Sequence, residues 1–310
     1  MTWVGLRLQR TEGLIALAVL GLIAALLIPT GISMANAFHH DGLSACLGMN
    51  PSYACNNALN DFQSKFQSLF TLTGWLTLIP GLIGVLLAAP FILELETGTY
   101  RLAWTQSITR RRWIAVKLTV PIVSALLIGG ALILLMTWWR SPFVQLNGRL
   151  DTGTYDSEGT VILGYILFAL ALALAVGVIL RRAVVAIIVA FIGYFIARIF
   201  VDAWLRQRLV TPLSATWKAS QAQPADLNHA WVLKMTGNGP GIVRTGGGGL
   251  FGGAHAQAAA SKLVGKITMH AVYQPPSHFW PLQLTETGLF AGVALVLIAF
   301  AAWWTHERVA

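Results

Sequence analysis

Reactive residue types are scarce in this chain, and they gather in small groups at the edges of apolar runs. Cys46 and Cys55 share one polar stretch. Two thiols that close on an oxidising face suit a disulfide around a small loop, ahead of free thiols or a metal site. His39, His40 and Asp41 offer metal-donor types just before them, but no second His/Cys pair stands at ligand spacing, and no metal is expected. Gly247, Gly249 and Gly252 spell G-x-G-x-x-G with no strand before them, so dinucleotide binding does not follow. Arg198 and Asp202 stand four apart on one helical face, and Glu286 opens another apolar run. Charge at such places needs a partner, so the three read as a structural ion pair or, alternatively, a contact for a substrate group. No catalytic triad, metalloprotease motif or G-x-x-x-x-G-K-[ST] occurs. The chain is therefore expected to be no enzyme and to hold no cofactor of its own.

The densest polar pattern runs from Glu94 to Lys117, ELETGTYRLAWTQSITRRRWIAVK, between two long apolar runs. Glu94 and Glu96 end the first run, where carboxylates meet water or basic partners. Gly98 lets the backbone leave the helix axis. The pattern predicts a helix over 100–113, with Tyr100, Ala103, Trp104, Ile108 and Trp113 partly on one face. Arg101, Gln106, Arg110, Arg111 and Arg112 then face water or headgroups. By patterning alone two readings compete: an interfacial helix whose arginines set topology, or a surface that takes force from a soluble partner.

The elements that would position these groups are set by composition. Of 310 residues, 56% are hydrophobic and 11% charged, and the mean hydropathy is +0.66. A soluble domain carries roughly 25% charged residues, so the deficit marks a polytopic membrane protein. The net charge of +9 lies largely beside apolar runs, where anionic lipid attracts it, and no nucleic acid is expected. Six apolar runs have spanning length: 14–32, 70–93, 114–139, 161–180, 183–200 and 287–304. Each must be a helix, because lipid offers the backbone no partners. The first run is a full span, so no cleavable leader is expected. Pro80 and Pro90 are expected to kink the second span, and Pro29 the outer end of the first.

Orientation follows from the short connections. Arg7 and Arg10 precede the first span, Arg101, Arg110–Arg112 and Lys117 lie between the second and third, Arg181 and Arg182 between the fourth and fifth, and Arg308 after the last. Six spans place all four groups on one side, with both termini cytoplasmic in a multi-pass cell-membrane protein. The outer side then holds 35–69, 140–160 and 201–286. In the last, GNGPGIVRTGGGGLFGG is glycine-rich, 256–264 reads as a short helix and 267–273 as an extended piece.

The segment after the second span resembles the corresponding loop of the ABC type-2 permeases, the membrane subunits of ATP-driven exporters. Glu94, Gly98 and Thr99 match their Glu-x-x-x-Gly-Thr element, and Thr109, Arg110 and Lys117 a following Ser/Thr-Arg element. Gly98, Thr99, Arg101, Leu102, Ala103, Trp104, Thr105, Gln106 and Ser107 reproduce the pattern of an actinobacterial subgroup. Leu93-Glu94 departs from that subgroup's Arg-Glu pair. Trp3, Arg7, Arg10 and Glu12 resemble the connecting helix ahead of the first span. Arg198 with Leu205-Arg206 resembles the end of the fifth, and Gln274-Pro275, Phe279-Trp280-Pro281, Gln283 and Glu286 the approach to the sixth.

The resemblance implies an all-α membrane protein with six transmembrane helices, similar to type V ABC exporters, with a long extracytoplasmic loop between helices 5 and 6. It would be a single permease domain over 1–310, with a connecting helix at 1–12, a coupling loop and helix at 94–113 and the outer loop at 201–286. A separate ABC ATPase subunit would bind ATP and Mg and dock on Glu94, Glu96, Gly98, Thr99, Tyr100, Arg101, Trp104, Thr105, Gln106 and Arg110–Arg112, beside Trp3, Arg7 and Arg10. A second permease copy, most simply a homodimer, would complete the pathway. Few interior charges suit a lipophilic or amphipathic cargo moved outward. A sensor or resistance protein with a ligand-binding outer loop, and a secondary transporter, are the alternatives.

Overall fold

The computed structural model describes residues 10–47, 52–101, 109–238 and 267–308. Among these, six helices are long and apolar enough to cross a bilayer: Ala18–His40, Gln67–Thr97, Arg110–Asn147, Val161–Leu180, Ala183–Leu209 and Pro276–Arg308. Each falls on one of the six apolar runs. The fourth coincides with its run and the others extend past theirs. Apolarity marks only the lipid-facing length, whereas a helix continues while its backbone bonds can form.

The first span belongs to α1 (Arg10–His40), which runs through Pro29 and on to His40. The expected bend of its outer end does not stop it. A disulfide joins Cys46 to Cys55, at the start of α2 (Tyr53–Lys65). The second span is divided into α3 (Gln67–Leu76) and α4 (Ile79–Thr97), which meet at Thr77–Leu78. Pro80 stands in the first turn of α4, where its missing N–H has no helical partner to lose. The division therefore falls where the sequence placed a kink, while Pro90 lies inside an unbroken α4. Then come α5 (Arg110–Asn147), α6 (Val161–Leu180), α7 (Ala183–Phe200) and, last, α8 (Phe279–Arg308).

Helix α6 is the centre of the bundle, packed against α4, α5, α7 and α8, with most of its residues buried. It comes close enough to α4 that a Cβ on Gly84 would lie 2.4 Å from the Ile166 carbonyl oxygen. Only glycine allows that approach. The outward faces of α1, α7 and α8 expose Leu22, Ile188, Ile192, Leu295 and Val296 among others. So much continuous apolar surface is stable against lipid and not against water.

The spans are all helical, but the long connection after α7 adds a sheet. Strands β1 (Leu213–Lys218), β2 (Trp231–Asn238) and β3 (Thr268–Gln274) form an antiparallel sheet in the order β1-β3-β2. Ala215 faces Ala271, and Val232 faces Tyr273. Leu227, Ala271 and Tyr273 form its small core. Strand β3 is the extended piece expected at 267–273; the other two strands were not anticipated. The helix expected at 256–264 and the glycine-rich middle lie outside the described residues.

Candidate functional site

Polar side chains collect at both ends of the bundle. At one end the chain turns from α4 toward α5. Gly98 closes α4 in the left-handed region, φ 69°, a conformation that favours glycine. Glu94 forms an ion pair with Lys117 of α5, a residue that is otherwise buried. Glu96 Oε2 accepts the Ala183 N–H at 2.8 Å, satisfying an orphan donor in the first turn of α7. Two residues apart on a helix means roughly 200° around its axis. That is why two neighbouring carboxylates reach two different spans, the third and the fifth. Arg181, at the turn between α6 and α7, donates from Nη2 to the Arg308 carbonyl at 3.1 Å, tying in the last span as well.

The helix expected over 100–113 is not one element. Tyr100 and Arg101 are helical, but Thr109 is extended (φ −67°, ψ 141°) and caps α5. Arg110–Arg112 are thus the first turn of the third span and not the end of an interfacial helix. All three are exposed, as is Arg101, whose guanidinium lies 5.8 Å from the Tyr100 ring centroid. Tyr100 and Trp113 are buried, 6.3 Å apart by ring centroids, and Phe91 lies 5.8 Å from Trp113. These rings fasten both ends of the connection to the bundle. Thr99 Oγ1 lies 3.2 Å from Thr97 Oγ1. Trp104, Thr105 and Gln106 lie outside the described residues, as do Trp3 and Arg7, while Arg10 is the first residue of α1.

The opposite end holds a buried ionic cluster centred on Arg206. Its Nη2 meets Asp156 Oδ1 at 2.5 Å, its Nε meets Glu286 Oε2 at 2.9 Å and its Nη1 meets Asp202 Oδ1 at 2.5 Å. Tyr165 Oη donates to Glu286 Oε1 at 2.5 Å. Arg198 bonds through Nη2 to Asp156 Oδ2 at 3.0 Å and lies 3.9 Å from the Tyr165 ring centroid. The expected residues Arg198, Asp202 and Glu286 are therefore in one network, with different partners. Arg198 pairs with Asp156, while Asp202 and Glu286 pair with Arg206.

A π turn at Val201–Leu205 explains the difference, since the Arg206 N–H reaches back to the Val201 carbonyl. In an uninterrupted α-helix Arg198 and Arg206 would be about 80° apart around the axis; absorbing one residue brings them within about 20°. Both then enter the buried face, which a regular 3.6 period does not suggest.

The connection from α5 to α6 is held by the same end of the bundle. Arg140 donates to Ser157 Oγ at 2.5 Å and Thr154 Oγ1 at 2.7 Å. Gln283 of α8 accepts the Val161 N–H at 2.9 Å and donates to the Tyr155 and Glu158 carbonyls, each at 3.0 Å. Asp156, Tyr165 and Arg140 carry no signal in the linear pattern. Asp156 reads as one acid in the polar run DTGTYDSEGT, and Arg140 as the residue just beyond an apolar run.

Among the described residues, six helices of spanning length, a charged turn braced to two of them and a largely buried ionic cluster at the other end fit a multi-pass membrane protein. Residues 17–206, more than half of the chain, match the family model described as ABC-2 membrane transporter related, and the chain belongs to that family. Membership implies an ABC ATPase as partner. No curated protein and no solved structure matches the chain.

Proposed function

We propose that this chain is the permease subunit of an ABC exporter, moving a lipophilic or amphipathic substrate outward with ATP hydrolysed on a separate subunit. The observation that carries the reading is the turn hinged at Gly98, from which Glu94 and Glu96 reach the third and fifth spans. Force applied there is delivered to two helices through short, charge-assisted contacts. The arginines of the positive-inside pattern support a cytoplasmic position for this end and for both termini. Arg101 and Arg110–Arg112 are exposed there to meet an acidic groove of the ATPase. ATP and Mg belong to that partner. Two permease copies in a type V-like arrangement, most simply identical, complete the pathway. The disulfide and the sheet then face the oxidising exterior.

The test is co-purification with the ATPase and reconstitution in vesicles. Substituting Gly98 and Arg110 lowers permease-stimulated ATP hydrolysis about tenfold if each removes one charged or conformational element of the joint. Unchanged stimulation sinks the reading. The ordered sheet favours a second reading, an outer ligand-binding element serving a sensor. Deleting 213–274 would abolish that response while leaving an exporter's stimulated ATPase in place.

A further inference from the structure

Beside the ionic cluster, the division of the second span opens a cleft against the fifth. Thr77 and Leu78 form one wall, and Tyr194, Phe195, Arg198 and Asp202 stand on the other. Arg198 is nine-tenths buried, its Nη2 is held by Asp156, and its Nη1 has no hydrogen-bond partner among the described residues. A buried guanidinium nitrogen without an acceptor is costly, so Arg198 Nη1 would gain from any acceptor oxygen that an occupant of the cleft brings to it. The positive end of the α4 dipole begins at Leu78 in the same cleft.

Charge decides what brings that oxygen. Arg198 and Arg206 stand against Asp156, Asp202 and Glu286, two guanidinium groups and three carboxylates. A simple anion would meet an excess of negative charge, and a simple cation would leave Arg198 Nη1 unpaired. Asp202 is the one carboxylate of the three with a substantially exposed side chain, 38%. Phe195, Ile196 and Ile199 continue outward from it as an exposed apolar face.

We propose that this cleft binds a zwitterionic amphiphile whose head carries a primary ammonium beside a phosphate or carboxylate. The ammonium pairs with Asp202, the acceptor oxygen with Arg198 Nη1, and the acyl chains lie along the exposed face of α7. The site requires the chain to be in a membrane but does not depend on ATP coupling. Its failure and the failure of the exporter reading are therefore separate events.

The test is native mass spectrometry of the full-length permease, without ATPase, in detergent with phosphatidylethanolamine, phosphatidylcholine or phosphatidylglycerol of equal chain length. Phosphatidylethanolamine is retained about tenfold more than the other two, the effect of one charged hydrogen bond. Asp202→Asn removes that preference. Thr77→Trp, which fills the cleft and leaves the ion pairs intact, removes retention itself with an unchanged melting point. Equal retention of the three lipids, or a preference that survives both substitutions, overturns the proposal. Reconstitution with the ATPase assigns the source: ATP-driven movement of the ethanolamine lipid makes it cargo, and retention through turnover makes it a bilayer lipid held by the same site.

Discussion

The two ends of the bundle handle charge in opposite ways. At the Arg206 end, guanidinium and carboxylate groups are largely buried and pair with one another across the fifth span, the sixth span and the connection before the fourth. At the Gly98 end the Glu94–Lys117 pair is kept inside, but Arg101, Arg110, Arg111, Arg112 and Arg182 are exposed, and three of them begin a helix, where the macrodipole disfavours positive charge. A fold gains little from exposed arginines placed against a helix dipole. The difference separates charges that hold the fold from charges kept at the surface, where a partner protein can reach them.

Removing Arg206 should break this contrast most severely. Arg206→Ala leaves Asp156 and Glu286 buried without their main counter-charge, a loss of about 3–5 kcal/mol. The expected outcome is collapse of folded yield, or a large fall in melting point in detergent, whereas Arg111→Ala leaves both unchanged. Equal effects from the two substitutions would end the distinction. The disulfide belongs to the Arg206 end. Replacing Cys46 and Cys55 by serine frees a loop of nine residues' separation and should lower stability by about 2–3 kcal/mol. Reductant should produce the same shift in the unmodified protein and none in the variant.

The two ends also differ in how far the sequence discloses them. Glu94, Gly98 and the arginines are neighbours in the chain, so the motif, its hinge and its exposure can all be inferred from linear spacing. What linear spacing does not supply is that Glu94 and Glu96 reach different spans, or that Thr109 interrupts the expected helix. The other end is assembled from residues up to 130 positions apart, Asp156 and Glu286 among them. The phase that brings Arg206 inward depends on a π turn, for which VDAWL gives no local sign. The six spans follow from hydropathy because the backbone in lipid has a single solution. The sheet has shorter, weaker alternation, and its outer strands are defined by pairing with β3.

Gly98 sharpens the comparison at the hinge. Among the described residues no neighbouring atom lies within 4 Å of a Cβ placed there, so Gly98→Ala clashes with none of them and adds the left-handed strain of about 1 kcal/mol. Melting point should barely move, while stimulated ATP hydrolysis in the reconstituted complex should fall several-fold because the joint is stiffer. A variant that loses stability and keeps coupling would make Gly98 a helix cap and nothing more.

The smallest effect concerns Glu158, in the connection between α5 and α6. Burial raises its carboxyl above the usual glutamate range, against the opposing pull of Arg149, whose Nε lies 3.4 Å away, and of Arg140. The folded protein then holds that proton more tightly than the unfolded chain. Its contribution to stability is fully present below the unfolded value and is lost as pH rises through the raised one. Glu158→Gln keeps the shape and removes the titration. From about pH 4 to about pH 8 the stability of the unmodified protein relative to the variant should decline. Parallel melting curves across that range would mean that water reaches this carboxyl. The enclosure that distinguishes the Arg206 end would then stop short of its outermost acid.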